Sequence, residues 1–171
     1  GPSNFIERTG RVVFNGGGHQ YLNTPENFNI VEADKSGGAI RVNYEGGEVN
    51  IAQYDWTAGA VDMISGTLNI NDLADNGLYG AYYCNTNCVL NITDDTGVNL
   101  FGELHVYGGE VNVYCSNPAV LYSYWPAAAT AGIEMDGGRL SFRDKGIWLQ
   151  NGYALAVDIT GGIICSAGNL V

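Results

Sequence analysis

The sequence predicts an all-β protein in which short strands stack as successive coils of a parallel β-solenoid. Three observations predict this fold: apolar residues alternate with polar ones over short stretches, glycines interrupt those stretches, and the same phrase returns along the chain. Alternation with a period of two is typical of a strand that buries one side and exposes the other. Helical periodicity is scarcely indicated anywhere in the chain.

The repeated phrase consists of an apolar–any–apolar stretch, a glycine step and a second apolar–any–apolar stretch. Clear copies occupy residues 42–51, 61–70, 104–113, 133–142 and 157–164, and a degenerate copy occupies residues 90–100. The spacing indicates about six coils of roughly 20–30 residues each. Each phrase holds two short strands, and glycine permits the bend between them because it has no Cβ.

Stacking accounts for the pattern, because one coil cannot bury its inward residues alone. In a stack spaced by about 4.8 Å, each strand hydrogen-bonds to its counterparts above and below, and the inward aliphatic residues form columns. An antiparallel sandwich is the competing fold, since Gly-Gly also makes two-residue hairpin turns. The return of the phrase at coil-length spacing favours the solenoid.

Three segments differ in how well they fit the repeat. Gly1-Pro2-Ser3 resembles the scar left by a protease, so residues 1–4 are expected to lie outside the natural domain. Residues 5–39 fit the phrase less well and are expected to form an N-terminal cap or an irregular first coil that protects the open edge of the stack. Residues 40–171 are expected to form the coils, as a fragment of a longer protein.

Charge and hydropathy exclude several classes of partner. The 171 residues include 18 Asp and Glu against 7 Lys and Arg, so the formal net charge is −11. Such a surface repels phosphate backbones and anionic lipid, which argues against nucleic-acid and membrane-surface binding. No stretch approaches the 18 or so uninterrupted apolar residues of a spanning helix, so membrane insertion is not expected either.

The four cysteines, Cys84, Cys88, Cys115 and Cys165, leave two interpretations open. Cys84 and Cys88 are spaced to close a small disulfide across a turn. Four buried or half-buried thiols are the equally supported alternative. A C-x3-C spacing without a paired second half is not a zinc motif, so no metal is predicted at these positions.

Several phrases resemble the repeat segments of large secreted surface proteins of Bacteroidetes-type bacteria. The resemblance lies in residues 14–20, 27–30, 35–38, 124–126, 133–135, 144–147 and 158–162. It implies a right-handed parallel β-helix, a secreted or cell-surface location, export that depends on a sorting domain, and an adhesin-like role beside flanking domains of the parent chain. The phrases are shared by proteins of differing roles, so the resemblance says more about fold than about activity.

Four longer segments between the phrases, residues 52–60, 71–89, 114–132 and 143–156, hold most of the aromatic residues. Insertions at one position of a solenoid project on one side and often form its binding face. Rings with polar tips stack on sugars, so we predict a glycan-binding side for a polysaccharide or a glycan of a neighbouring or host cell. Packing of the rings beneath the loops is the alternative. The candidate rings are Tyr54, Trp56, Tyr82, Tyr83, Tyr122, Tyr124, Trp125 and Trp148.

An enzyme is the alternative function class, resembling the polysaccharide lyases or glycoside hydrolases of β-helix fold, which use carboxylate clusters. The weak candidates for Ca²⁺ ligands are Asp72, Asp75, Asp94 and Asp95, and no other cofactor is predicted. Adjacent carboxylates on turns are usually solvated turn formers. His19 and His105 are expected to be solvated rather than catalytic, and no catalytic residue is assigned.

Overall fold

The structure is a computed structural model that describes residues 10–117, 119–121, 132–145, 147–149 and 156–167. These residues form strands, apart from short connections and one 3₁₀ turn, Ala74–Asn76. The strands are β1 Arg11–Asn15, β2 Gln20–Leu22, β3 Glu26–Ile70, β4 Gly77–Leu78, β5 Ala81–Asn85, β6 Cys88–Asp94, β7 Asn99–Leu100, β8 Glu103–Cys115, β9 Ala119–Leu121, β10 Gly132–Phe142, β11 Ile147–Leu149 and β12 Ala156–Ser166.

All the strand pairings of the described residues are parallel. The larger sheet has the order β1-β3-β5-β8-β10-β12, with β2 beside β3 and β6 between β3 and β8, and the smaller sheet has the order β11-β9-β7-β4. Equivalent strands of successive coils therefore lie side by side, in a parallel β-solenoid of about six turns. The predicted fold class is confirmed, and the antiparallel sandwich is wrong.

Two outer faces of the solenoid are used below. The His face is the outer side of residues 61–63, 82–84, 104–106, 133–135 and 157–159, and the Asn face is the outer side of residues 68–70, 90–92, 111–113 and 140–142. Long strands such as β8 and β10 contribute to both faces. Glycine corners join the two faces within each coil.

The core consists of inward-facing columns that run along the axis. Beneath the His face and the Asn face, respectively, two such columns contain Val61, Tyr82, Leu104 and Ile133, and Leu68, Leu90, Val111 and Leu140. Each of these side chains is at most 3% exposed. Full burial of one large aliphatic side chain contributes about 1.5–3 kcal/mol, so the columns are the main source of stability.

The glycine step of the repeat is a steric requirement at the corners. Gly138 has φ of +73°, a conformation that L side chains rarely adopt. A Cβ at Gly138 would collide with the carbonyl oxygen of Gly109 in the preceding coil. Gly66, with φ of +91°, would collide in the same way with the carbonyl oxygen of Tyr44. The corners therefore need glycine both for backbone conformation and for close stacking.

A ladder of asparagine side chains runs along the Asn face. Its members, Asn27, Asn50, Asn69, Asn91 and Asn112, occupy successive coils. The Nδ2 atom of each later residue donates to the Oδ1 atom of the one before it, at 2.8–2.9 Å. These side chains are therefore held by the coil–coil stacking rather than solvated individually.

The first described coil is held by a buried lysine. Strand β1 pairs in parallel with residues 30–34, and β2 pairs with residues 40–42. The Lys35 side chain is 3% exposed, and its Nζ atom donates to Asn15 O, Gly18 O and Gln20 Oε1 at 3.1, 2.6 and 2.8 Å. Three neutral oxygens thus take the place of water around the charge and fix the glycine-rich turn.

Candidate functional site

Two of the predicted glycan-binding rings belong to the core. Tyr54 and Tyr82 are 2% and 1% exposed, and their rings meet edge to face with centroids 6.3 Å apart. Burial raises the pKa of both phenols. Tyr82 occupies the inward column between Val61 and Leu104. The prediction that Tyr54 and Tyr82 bind glycans is therefore wrong. Both rings pack in the interior and cannot stack on a ligand.

Trp56 lies on the outside, in a column of stacked rings. Its ring stacks on Tyr79 with centroids 5.5 Å apart, and Tyr79 stacks on Phe101 at 4.7 Å, with interplanar angles of 18° and 11°. The indole Nε1 atom donates to Gly59 O at 3.0 Å. Both faces of Tyr79 are therefore covered by other rings, and one face of Trp56 is covered by Tyr79. Trp56 is also partly buried against the core. Packing among the rings was the alternative in the sequence interpretation, and it holds for this column.

The most elaborate group of polar side chains lies on the His face around His105. Its imidazole stacks on Tyr83, with centroids 4.5 Å apart and planes 14° apart. The Nε2 atom lies 3.1 Å from Glu103 Oε2, and the Nδ1 atom lies 2.9 Å from Glu134 Oε2. The Tyr107 hydroxyl lies 3.0 Å from Nδ1. We call these five residues the His105 cluster.

The environment of His105 differs from the sequence prediction. The imidazole is at an outward strand position, as predicted, but only 14% of its side chain is exposed. A solvated histidine was therefore wrong here, because side chains from the coils on either side enclose the ring. His19 is exposed, and its Nδ1 atom accepts a hydrogen bond from Ala39 N at 3.1 Å.

The His105 cluster joins side chains of three successive coils through stacking and hydrogen bonds. When protonated, the imidazole can donate from both ring nitrogens to carboxylates of different coils, Glu103 and Glu134. Burial, and then the Glu103 charge, raise the pKa of Tyr83. Burial, and then the hydrogen bond with Glu134, raise the pKa of Tyr107. Both phenols therefore stay protonated near neutral pH and serve as hydrogen-bonding groups.

The candidate calcium ligands have local structural roles. Asp94 is buried; its Oδ1 atom accepts from Thr96 N and Oγ1 at 2.8 Å and from Gly97 N at 3.1 Å. Its Oδ2 atom accepts from Leu73 N at 3.3 Å. Asp94 thus shapes the turn after β6.

The other three candidates add no metal-binding group. Asp72 Oδ2 accepts from Gln53 Nε2 at 2.8 Å, and Asp75 and Asp95 are exposed. Within the described residues, no group of three or more His, Cys, Asp or Glu side chains could hold a metal ion.

The cysteines are thiols in this structure. Cys84 and Cys88 are free and buried, so the small disulfide is not formed. The Cys84 Sγ atom contacts Cys88 O at 3.6 Å, and Cys88 Sγ contacts Met63 O at 3.2 Å. Burial raises the pKa of Cys84 to about 12 and that of Cys88 to about 11. Both are therefore protonated packing groups and not reactive thiolates.

Three of the remaining four candidate rings lie outside the residues that the structure describes. These rings are Tyr122, Tyr124 and Trp125. Trp148 lies in β11 and pairs with Val120 of β9. Of the eight predicted rings, the structure therefore places Trp56 and Tyr83 on the outside, in two different ring stacks.

Comparison with known proteins adds no relative. No family model, curated protein or solved structure matches this chain. No helix among the described residues has the length and apolar character needed to cross a membrane. The class of protein is thus set by the fold, a parallel β-solenoid.

Proposed function

We propose that this chain is a structural, adhesin-like stalk module of a secreted or cell-surface bacterial protein. The observation that carries the proposal is the continuity of side-chain columns along the solenoid axis, inside and outside. A rod needs each layer to be fastened to the next, and the asparagine ladder does this with four hydrogen bonds across five successive levels. The extracellular location rests on the resemblance of residues 14–20 and 158–162 to surface-protein repeats.

The polar groups of the outer faces support a structural role, since many of them form hydrogen bonds between neighbouring coils. Arg41 Nε donates to Asp62 Oδ2 at 2.9 Å, and Asn85 Nδ2 donates to Asp62 Oδ1 at 3.1 Å, each reaching the neighbouring coil. Inter-coil backbone hydrogen bonds also lie along the axis, so tension on a stalk would load them directly. Such a surface stabilises the stack.

Single-molecule stretching along the axis tests the stalk proposal. A stack held by nearest-neighbour contacts is expected to lose coils from its ends, in length steps corresponding to roughly 20–30 residues. A matched variant, Asn91→Ala, is expected to lower the force at which the central coils separate. Collapse of the whole stack in one low-force event would contradict a role as a stalk under tension.

Glycan contact through the His face is the second candidate function. It is favoured by the aromatic edges and carboxylates that surround His105, since mixed aromatic and polar groups suit sugar rings and their hydroxyls. A glycan array and a polysaccharide-degradation screen test it, with Tyr83→Ala as the His-face variant and Trp125→Ala, outside the described residues, as the variant that the sequence suggests. Binding that neither substitution weakens would remove the aromatic site. Release of sugar products would instead favour the carbohydrate-active enzyme.

A further inference from the structure

An open groove with a volume of about 530 Å³ lies along the glycine corners between the His face and the Asn face. Gly108 and Gly138 line it from two successive coils, and Val89 and Arg139 immediately precede the Asn-face segments 90–92 and 140–142. The glycines leave backbone exposed there, so a flat ligand can approach the main chain closely. The groove is remote in sequence from Trp56.

Arg139 gives this groove a guanidinium that is not held in an ion pair with a described carboxylate. Its Nε atom donates to Ser141 Oγ at 3.0 Å, and no carboxylate of the described residues forms an ion pair with it. Glu110 lies opposite Arg139 in the strand register, but its Oε1 atom pairs with Arg143 Nη2 at 2.8 Å. One guanidinium therefore remains unmatched in the groove of a chain whose net charge is −11.

The other described arginines are used differently. Arg11 pairs with Glu32 and Asp55, and Arg41 pairs with Asp62. Lys145 is exposed and does not line the groove. Arg139 thus lines a groove, and its terminal nitrogens have no ion-pair partner among the described residues.

We propose that this groove binds the carboxylate of an acidic saccharide, with Arg139 as its anchor. A guanidinium presents two parallel N–H donors that match a carboxylate. The Asn87 amide can donate to and accept from sugar hydroxyls, and Glu110 Oε2 can accept from one, while Val89 offers apolar contact to the ring. The volume of the groove is in the range of small-ligand sites. This mixture of donors, acceptors and bare backbone suits a sugar acid better than an acidic peptide.

The proposal does not depend on the stalk role or on the aromatic His-face site. It uses none of the rings of the second candidate function, so the two binding sites can fail separately. A stalk that binds nothing at Arg139 would still unfold coil by coil. Conversely, binding at Arg139 would survive Tyr83→Ala.

Titration calorimetry and chemical-shift mapping with a glucuronic-acid disaccharide test the proposal, beside its neutral glucose counterpart and an acidic hexapeptide. We expect saturable binding of the acidic sugar, with shifts centred on residues 87–89, 108–110 and 138–139. Arg139→Gln is expected to weaken binding about tenfold or more, because a charge-assisted pair is lost. Lys145→Gln removes the same charge outside the groove and is expected to change affinity by less than about twofold.

A second variant keeps the test sharp if Arg139→Gln perturbs the fold. Val89→Phe narrows the groove without changing its charge. This variant is expected to weaken binding of the acidic sugar while the circular dichroism spectrum stays unchanged. Absence of saturable binding would overturn the proposal. Equal losses in Arg139→Gln and Lys145→Gln would reduce it to general charge attraction and also overturn it. Tighter binding of the peptide would assign the groove to a protein partner instead.

Discussion

The outer side chains of the Asn face and of the His face both join successive coils, but they do so with different residue types. On the Asn face, one residue type repeats over five coils, and each amide bonds to the next in the same way. On the His face, the corresponding outer column changes at each level, from Asp62 to Tyr83, His105, Glu134 and Asp158. A uniform column spreads its stabilisation evenly, whereas a mixed column concentrates contacts at one level, around His105.

Alkaline pH is expected to have the largest effect and to separate the two faces. Burial raises the pKa of the Cys84 thiol to about 12 from 9.0, and burial also raises the pKa of the Tyr82 phenol. The unfolded chain therefore loses these protons at lower pH than the folded chain. The contribution of Cys84 is full below about pH 9 and is lost as the pH rises to about 12.

Methyl NMR at stepped pH values measures this difference. Leu104 lies beneath the His face, beside Tyr82, and Leu90 lies beneath the Asn face in an aliphatic column. We expect Cys84→Ala to lose less stability than the wild type over the same interval, and its Leu104 signals to be protected more than its Leu90 signals, because Leu90 lies two residues from the Cys88 thiol, whose pKa is about 11. Equal protection of both signals in Cys84→Ala would contradict the distinction between the faces.

Breaking the asparagine ladder at its centre is expected to have the next largest effect. Asn91→Ala removes two hydrogen bonds and leaves Asn69 Oδ1 and Asn112 Nδ2 without their ladder partner. The free energy of unfolding is expected to fall by about 2 kcal/mol in urea titration. Asn27→Ala, at the exposed end, removes one bond and serves as the control, with an expected loss of about 0.5 kcal/mol. Equal losses would mean that the ladder does not act as a column.

Removing the imidazole of the mixed column is expected to cost less than the central asparagine. His105→Ala leaves Glu103 and Glu134 without their shared partner and uncovers one face of Tyr83. We expect a loss of about 1 kcal/mol in the free energy of unfolding. His19→Ala, at an exposed position, is the control; it removes one hydrogen bond, from Ala39 N, and is expected to cost about 0.5 kcal/mol. If His105→Ala left the free energy of unfolding unchanged, the contacts that enclose the ring would not stabilise the protein.

Salt dependence gives the smallest expected effect. Arg41 and Asp62 form a partly exposed ion pair, with 29% and 20% of their side chains exposed. Asp62→Asn is expected to lower the urea concentration at the midpoint of unfolding slightly at low ionic strength and by less in 1 M salt. The effect of Asn91→Ala should not change with salt, since amides carry no net charge. If the loss of stability in Asp62→Asn did not depend on salt, the Arg41–Asp62 contact would not be ionic.

The sequence predicted the fold because the repeat encodes it twice, through alternation and through glycine steps. The sides of individual rings were harder to predict: in residues 81–84 every side chain is apolar or aromatic, so alternation does not define which tyrosine faces inward. Stacking on Val61 and Leu104 decides it. The asparagine ladder had a visible signal, an Asn between two apolar residues in four phrases.

The His105 cluster could not be derived in the same way. Glu134 lies 29 residues after His105, beyond an insertion, so only the stacking register brings it to the imidazole. The glycine-corner groove has the same origin, since Asn87 and Arg139 belong to different coils. Contacts within one coil are thus encoded locally, and contacts between coils depend on the three-dimensional register.

The amide ladder also gives the solenoid an electrical direction. All four of its side-chain bonds point the same way, so their dipoles add, as peptide dipoles do in a helix. The last carbonyl, Asn112 Oδ1, meets the cationic Arg143 Nε atom at 2.8 Å. A positive group thus sits at the negative pole, and the two ends of the ladder are electrostatically distinct.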